Sequence, residues 1–174
     1  MTLGYPGSGK TFTAEWLSSH MEAVHMRSDD LRVAFLGPDK PENHTPEKKN
    51  QVNNALYYIA GQIAAAGCSL ILDANYNSFS TRQRFANLAR KYAALPVIVW
   101  VKTDMELAKQ RAEQRAQDGG FDLLEPNLIE KMAKRLEPPT DNELVIEIDG
   151  HVTAAEQRAS FDEQLTELRP LEEF

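Results

Sequence analysis

Apolar and polar positions along the chain predict strands and helices in turn. Apolar residues recur every three or four positions at Val52, Leu56, Ile59 and Ile63, which is typical of an amphipathic helix. Short apolar runs that fit buried strands stand between such segments, at MTL, AVHM, SLILD, PVIVWVK and ELVIEID. Because strands alternate with helices, the pattern predicts an α/β fold whose parallel sheet is covered by helices on both faces.

Polar side chains at helix starts refine this prediction. Thr45 and Pro46 fit the cap and first residue of the long helix that runs to Gly67. A serine or threonine followed three residues later by Glu or Gln predicts a capping box, in which each residue of the pair bonds the backbone of the other. Three such pairs predict helix starts: Ser80 with Gln83, Thr103 with Glu106, and Thr153 with Glu156.

Length and charge limit the class of protein. A chain of 174 residues is most simply one domain, here residues 1–174. Its formal net charge of −7 argues against binding a long nucleic-acid duplex, which requires clustered Lys and Arg. A short nucleic-acid end or a small molecule remains compatible with this charge.

Cysteine usage and hydropathy indicate the compartment. The single cysteine, Cys68, favours a reduced, cytoplasmic setting, and its apolar neighbours predict a buried thiol. The chain has neither an apolar run of membrane-spanning length nor a basic and apolar export signal at its start. We therefore expect no membrane partner.

The first residues carry the most specific motif. Gly4, Gly9, Lys10 and Thr11 fit G-x-x-x-x-G-K-[ST], a loop whose backbone N–H groups surround a phosphate. Lys10 can reach the β- and γ-phosphates of a nucleotide, and the Thr11 hydroxyl can ligate Mg²⁺. The helix that follows places its positive N-terminus under the anion. The alternative is a glycine-rich turn before a helix. The residues predicted to contact the nucleotide are Gly4, Pro6, Gly7, Ser8, Gly9, Lys10, Thr11 and Phe12.

Two carboxylates follow predicted strands and are candidates for the chemistry. Asp29 in RSDDLR could accept the proton of an acceptor hydroxyl while Arg32 steadies the substrate, or it could cap the next helix. Asp73 ends the run SLILD, where a Walker-B carboxylate holds Mg²⁺, or it closes a turn. Because ligands bind beyond the carboxyl ends of parallel strands, both residues and Asn75 are expected at one rim of the sheet.

Arg111 and Arg115 are four residues apart and so lie on one face of a helix. A bound triphosphate would relieve the repulsion between them. The alternative is a solvated face on which Arg115 pairs with Asp118.

We expect structural rather than chemical roles for the tryptophans and histidines. Trp16 and Trp100 are expected to pack in the core. His20, His25, His44 and His151 lack partners at metal-ligand spacing. The segment VKTD, which follows a predicted strand, is similar to the NKxD motif with which GTPases read guanine. It lacks the asparagine of that motif, so the signal for guanine binding is weak.

The motifs PGSGKT, RSDDLR and LILDAN, followed by Arg111 and Arg115, together resemble those of the P-loop kinases close to bacteriophage polynucleotide kinase. The likeness covers most of residues 1 to about 140. Zeta-toxin-type sugar-nucleotide kinases are similar at the loop and at the general-base position. Two features differ: a serine stands between Arg27 and Asp29, and the segment DANYNSFSTRQR approaches its arginines over a longer distance.

The resemblance implies a fold and a set of roles. The fold would be a three-layer α/β/α P-loop NTPase domain with a five-stranded parallel sheet of order 2-3-1-4-5 and a helical lid, here about residues 111–136. ATP with Mg²⁺ would be the phosphoryl donor, and the acceptor would be a hydroxyl, with a 5′-hydroxyl nucleic-acid end as the leading guess. Zeta-toxin-type small-molecule kinases and an ATPase or ATP-binding regulator without an organic acceptor are the alternatives. The catalytic residues would be Lys10, Asp29 and Arg115, with Arg111 assisting on the phosphates, and the substrate contacts Asp29, Arg32, Asn75, Arg82 and Arg84.

Overall fold

A computed structural model describes residues 1–38, 40–117 and 128–168. Within them the chain alternates strands with helices, as the apolar pattern predicts, and a short 3-10 helix, Pro41–Asn43, precedes the longest helix. The strands are β1 Thr2–Leu3, β2 Val24–Arg27, β3 Leu70–Asp73, β4 Val97–Lys102 and β5 Leu144–Asp149. The helices are α1 Lys10–His20, α2 Ser28–Leu36, α3 Pro46–Ala65, α4 Phe79–Lys91, α5 Met105–Gln117, α6 Leu128–Lys134 and α7 Ala154–Leu168.

The described strands form two parallel ladders rather than one continuous sheet. One ladder has the order β1-β4-β5 and the other pairs β2 with β3. The predicted order 2-3-1-4-5 is therefore confirmed only within each ladder. Strand β1 is two residues long and pairs with Val99 and Trp100 of β4. Toward β3 it makes a side-chain link, from the Thr2 hydroxyl to the Leu72 carbonyl at 3.4 Å.

Two apolar clusters hold helices against these ladders. Trp16 and Leu17 of α1 and Phe161 of α7 pack on the valines and isoleucines of β4 and β5. Leu56 of α3 and Phe85 of α4 pack on β2 and β3 in the second cluster. Helices thus pack against both ladders. The residues that follow the strands lie beyond these clusters, at the rim formed by the carboxyl ends of the strands.

The predicted core residues differ in their outcome. Trp16 is buried and meets Phe161 edge to face, as expected. Trp100 is half-buried, with the Lys102 ammonium 4.4 Å from its ring centroid. Cys68 is exposed, so the prediction of a buried thiol is wrong. It lies in the turn before β3, where the chain has not yet entered the sheet.

Two of the four predicted helix starts are confirmed. Thr45 caps α3 by accepting the Lys48 N–H at 3.3 Å, and Thr153 and Glu156 bond each other's backbone N–H groups. Helix α4 begins earlier than predicted, because Ser78 rather than Ser80 accepts the N–H of Thr81.

Helix α5 also begins differently from the prediction. Asp104 accepts the Leu107 N–H at 2.8 Å, and the Thr103 hydroxyl bonds elsewhere.

Among the described helices, none combines the length and hydropathy needed to cross a bilayer.

The second cluster gives a test of the fold. Leu56 is fully buried and Tyr58, two residues later on α3, is 68% exposed. We expect Leu56→Ala to lower the free energy of unfolding by about 2–5 kcal/mol, because it removes buried methyl groups and leaves a cavity. Tyr58→Ala should change it by less than about 0.5 kcal/mol. Urea unfolding followed by circular dichroism measures both, and equal losses would contradict this packing.

Candidate active site

The loop between β1 and α1 has the backbone of a phosphate-binding loop. Gly4, Gly7 and Gly9 have φ angles of 145°, 81° and 101°, in a region that side chains disfavour. Helix α1 begins at Lys10, directly after Gly9. Its first N–H groups have no helical partners and lie where an anion would bind.

Two other segments press against this loop from behind. A Cβ atom on Gly7 would collide with the Ala108 carbonyl of α5. The Thr103 hydroxyl donates to the Ser8 carbonyl at 2.8 Å, and the Tyr5 hydroxyl donates to the Thr103 carbonyl. The ends of β1 and β4 are therefore joined directly at the loop.

The turn after β5 completes the support. The Gly150 N–H donates to the Lys102 carbonyl at 2.7 Å. A Cβ atom on Gly150 would collide with the Thr103 hydroxyl, so a larger residue would push this turn off the loop. Next to it, the His151 ring nitrogens contact carboxylate oxygens of Asp149 at 2.7 Å and Asp104 at 2.5 Å. These contacts raise the pKa of His151 and tie the start of α5 to the end of β5.

Lys10 lies in the loop with its ammonium donating to the Tyr5 carbonyl at 3.0 Å. The pKa of Lys10 is lowered to about 8, chiefly because burial disfavours the charged ammonium, and the charge of Arg115 acts in the same direction. Asp73 and Asp29 act in the opposite direction and partly offset these two effects. The folded chain has thus brought the charges of four predicted site residues close enough to interact.

Asp29 lies in the first turn of α2, at the end of β2. Helix α2 starts at Ser28 with Arg27 at the cap position, so Asp29 is not its N-cap. The Asp29 carboxylate contacts the Arg32 guanidinium at 2.5 Å and is 69% exposed. Capping of α2, the alternative to a chemical role for Asp29, is therefore not supported. The carboxylate faces solvent, where an acceptor could reach it.

Asp73 ends β3 and is buried. One carboxylate oxygen accepts from the Thr2 hydroxyl at 3.3 Å, and the other is 3.7 Å from Nε2 of His25. It therefore belongs to the inner wall of the site, beside β1.

The residues present fit a magnesium nucleotide. The described residues contain no cluster of three His, Cys, Asp or Glu side chains able to hold a metal. Mg²⁺ does not need one, because it usually keeps several waters and takes one or two protein oxygens plus phosphate. Asp73 and the Thr11 hydroxyl supply oxygen ligands of this kind. The buried Oγ of Ser8 has no hydrogen-bond partner within the described structure, which suits a loop built to surround an anion.

Arg111 and Arg115 both lie at the loop side of α5. The Arg111 guanidinium donates to the Gly150 carbonyl at 2.9 Å and would lie 3.8 Å from a Cβ on Gly9. Arg115 is exposed, and its charge is felt by Lys10. The alternative partner, Asp118, lies outside the described residues. So does much of the expected lid at 111–136, of which 118–127 is not described.

The predicted substrate residues on the β3 side have different outcomes. The Asn75 side chain is exposed at the rim and accepts the Asn77 N–H at 3.2 Å. Arg84 is exposed, stacks on Tyr57 at 4.2 Å and donates to Asn54. The prediction that Arg82 contacts substrate is wrong, because its side chain is fully buried and its guanidinium bonds protein groups.

The remaining predicted nucleotide contacts are in the loop and at the start of α1. Pro6 is half-buried beside Gly7, and the Phe12 ring is 51% exposed in the first turn of α1. Sequence reasoning missed Thr103, Gly150 and His151 as supports of the loop. Their long-range partners left no signal in local spacing.

The chain belongs to the family described as AAA domain, whose pattern matches residues 1–139. No curated protein matches the sequence.

Solved structures share the fold at low sequence identity. Kti12 of Chaetomium thermophilum in complex with ADP-AlF3 has a TM-score of 0.73 and 19% identity, over 95% of this chain and 96% of that one. A gluconokinase from Sinorhizobium meliloti has a TM-score of 0.70 and 18% identity, over 98% and 93%. The APS kinase CysC of Mycobacterium tuberculosis with AMPPNP and APS has a TM-score of 0.67 and 15% identity, over 95% and 96%. These likenesses establish an α/β P-loop kinase-like fold.

The close approach of Gly7 to α5 predicts a specific effect of adding a methyl group. Gly7→Ala should weaken ATP binding by more than about tenfold, because the loop must shift away from Ala108 and loses its aim at the phosphates. Gly67→Ala is the matched control, since Gly67 has a similar φ of 73° with nothing near its Cβ position. It should lower stability by about 1 kcal/mol and leave binding unchanged. Calorimetric titration that finds equal affinities in the two variants would contradict the packing of the loop.

The lowered pKa of Lys10 predicts that nucleotide binding depends on pH. In the free protein the ammonium loses its proton near pH 8, and a bound phosphate raises the pKa again because it stabilises the charged form. Binding should therefore take up protons, and ATP affinity should be about tenfold weaker at pH 9 than at pH 7. Titration calorimetry in two buffers of different ionisation enthalpy measures the uptake. Lys10→Arg, which does not titrate in this range, should abolish it, and a wild type without proton uptake would contradict the assignment.

Proposed function

We propose that this member of the AAA domain family is a Mg²⁺-dependent kinase that moves the γ-phosphoryl group of ATP to a hydroxyl of a small molecule. The observation that carries the proposal is the set of charges around Lys10. Asp73, Asp29 and Arg115 all influence its pKa, although they come from three elements, the end of β3, the first turn of α2 and α5. Phosphoryl transfer to an alcohol needs a metal-holding carboxylate, a base and cations at the transferred group.

In this proposal the loop holds the nucleotide. Free backbone N–H groups of the loop surround the phosphates, with Lys10 on the β- and γ-phosphates. Arg111 and Arg115 approach from α5, and the exposed Phe12 ring lies within reach of the nucleotide. Because the donors are fixed before the ligand arrives, little reorganisation is needed when negative charge moves toward the leaving oxygen.

Thr11 and Asp73 would hold Mg²⁺. When bound, the ion neutralises charge on the β- and γ-phosphate oxygens. The Thr2 hydroxyl orients one Asp73 oxygen at 3.3 Å.

Asp29 would act on the acceptor. Its carboxylate takes the proton of the acceptor hydroxyl as that oxygen bonds to the γ-phosphorus, while the bond from the γ-phosphorus to the bridging oxygen breaks and ADP leaves. Arg32 holds the carboxylate in place, and the Asn75 amide stands at the same rim to bind acceptor hydroxyls.

A small acceptor is favoured by the charge of the chain and by two kinases of the same fold. The chain carries a net charge of −7, which does not attract a polyanion. Structures with the same fold include a gluconokinase and an APS kinase. A 5′-hydroxyl nucleic-acid end is the competing acceptor. A screen with radiolabelled ATP against sugars, other hydroxyl compounds and 5′-hydroxyl oligonucleotides tests both, and labelling of oligonucleotides alone would overturn the small-molecule assignment.

The second candidate is an ATPase or ATP-binding regulator without an organic acceptor. The family description, AAA domain, and the similarity to Kti12 favour it. Asp73 is followed by Ala74, so a second acidic residue after the strand, usual in AAA ATPases, is missing. ADP release measured with and without acceptor separates the two candidates. Release that needs no acceptor, at a rate that no acceptor changes, would favour the ATPase.

Asp29 gives the sharpest test of the kinase reaction. Asp29→Asn should keep ATP affinity and slow phosphoryl transfer by about 10²–10⁴-fold, because the amide keeps the shape but cannot accept the proton. Asp30→Asn is the matched control, since Asp30 is the next residue and its carboxylate faces Arg27 at 3.7 Å instead. It should leave transfer within about threefold of wild type. Single-turnover transfer measures both variants, and unchanged transfer in Asp29→Asn would exclude this carboxylate as the base.

A further inference from the structure

Arg82 is the largest of the fully buried side chains in the described structure. It lies in the first turn of α4 and forms a two-point ion pair with Glu143, the residue before β5. Nε donates to one carboxylate oxygen at 2.8 Å and Nη2 to the other at 3.0 Å. This bond lowers the pKa of Glu143 and keeps the carboxylate charged.

The remaining donors of the same guanidinium join two loops. Toward the loop after β3, Nη1 donates to the carbonyls of Tyr76 at 3.2 Å and Asn77 at 3.4 Å. Toward the segment after α6, it donates to the Glu137 carbonyl at 3.0 Å, and Nη2 donates to that of Pro138 at 3.3 Å. All three nitrogens of the fork are therefore engaged with protein groups.

The two loops also bond to each other. The Glu137 N–H donates to the Asn77 carbonyl at 2.8 Å. The Glu137 carboxylate in turn accepts the Phe79 N–H at 2.6 Å. The segment 74–78 is thus held between α4 and residues 137–143, and it begins directly after Asp73 and contains Asn75.

Stability alone does not account for such a group. A buried ion pair is often no more stabilising than apolar side chains of the same volume, because both charges lose their hydration. An apolar residue at position 82 could fill the space but could not bond four carbonyl oxygens and a carboxylate. What the guanidinium adds is a fixed path for the loop.

We propose that Arg82 is a positioning residue, which fixes the loop 74–78 and through it the Asp73 carboxylate and the Asn75 amide. The inference rests on the proposed function, in which those two groups face Mg²⁺ and the acceptor. Arg82 itself touches neither.

The first test uses the free protein and needs no nucleotide. In Arg82→Lys the cation can still pair with Glu143 but cannot bond both loops, so amide hydrogen exchange at residues 74–79 should rise at least tenfold while α1 is unchanged. Leu88→Ala is the matched control, since it loosens α4 two turns away, where Leu88 is buried against Gly61. It should leave 74–79 as in wild type. Exchange at 74–79 that is the same in Arg82→Lys and wild type would overturn the proposal, whether or not the protein proves to be a kinase.

The second test asks whether the loop serves the metal. ATP affinity without Mg²⁺ should stay within about twofold in Arg82→Lys, because Lys10 and the glycine loop are untouched. The Mg²⁺ concentration for half-maximal transfer should rise about 10–100-fold, as for other residues that orient metal ligands. The double variant Arg82→Gln with Glu143→Gln removes both charges together and provides a folded alternative if the single variant aggregates. A lower melting temperature with an unchanged Mg²⁺ requirement would show a purely structural role. If the wild type binds no ATP, the proposed function is refuted. The hydrogen-exchange measurement at residues 74–79 then decides by itself whether Arg82 fixes the loop.

Discussion

The structure depends on the need to hold the phosphate-binding loop in one conformation. Where backbone N–H groups of residues 4–11 are kept free for an anion, carbonyls of the same loop need donors from other groups. The Thr103 hydroxyl satisfies the Ser8 carbonyl, and the Lys10 ammonium and the Ser8 N–H both bond the Tyr5 carbonyl. Because these donors come from the end of β4 and from the loop itself, the strands must end where the loop begins.

This requirement also explains the small residues around the loop. Gly7 lies against the Ala108 carbonyl, and Gly150 lies against Thr103 and Ser8, so neither position has room for a side chain. Helix α5 is thereby held against the loop, which brings Arg111 beside Gly9. The contacts that support the loop therefore also place the Arg111 guanidinium beside it.

The charges of the site are arranged before any ligand binds. Lys10 is desolvated enough for its pKa to fall to about 8, and two carboxylates only partly compensate. An added phosphate would restore the favourable surroundings that the ammonium has lost. Within the proposal, this imbalance contributes to binding of the anion, and the carboxylates keep the lysine charged at neutral pH.

The sequence predicts those parts of the site that depend on neighbours in the chain. The glycine spacing fixes the loop, and the apolar runs place Asp29 and Asp73 at strand ends, so these residues were found correctly at one rim. Ser80 and Thr103 were misassigned as caps because a nearby polar residue, Ser78 or Asp104, bonds a backbone N–H of the first turn instead, that of Thr81 or of Leu107. Local spacing cannot decide such a competition, which depends on where the chain enters the helix.

Arg82 shows the limit of this reasoning most clearly. In the sequence it is one of two arginines two residues apart, and on α4 one of them faces inward and the other outward. Its partner Glu143 is 61 residues away, and its burial depends on how residues 137–143 return to the sheet. An arginine near a phosphate-binding loop can contact an anion only if its guanidinium N–H groups are available. The N–H groups of Arg82 instead donate to carbonyls of the protein itself. In the proposed reaction the phosphates would be held by Lys10 in the loop and by Arg111 and Arg115 of α5. Asp29 follows β2, a strand of the other ladder, so the acceptor would meet its base on a different element from those that hold the phosphates.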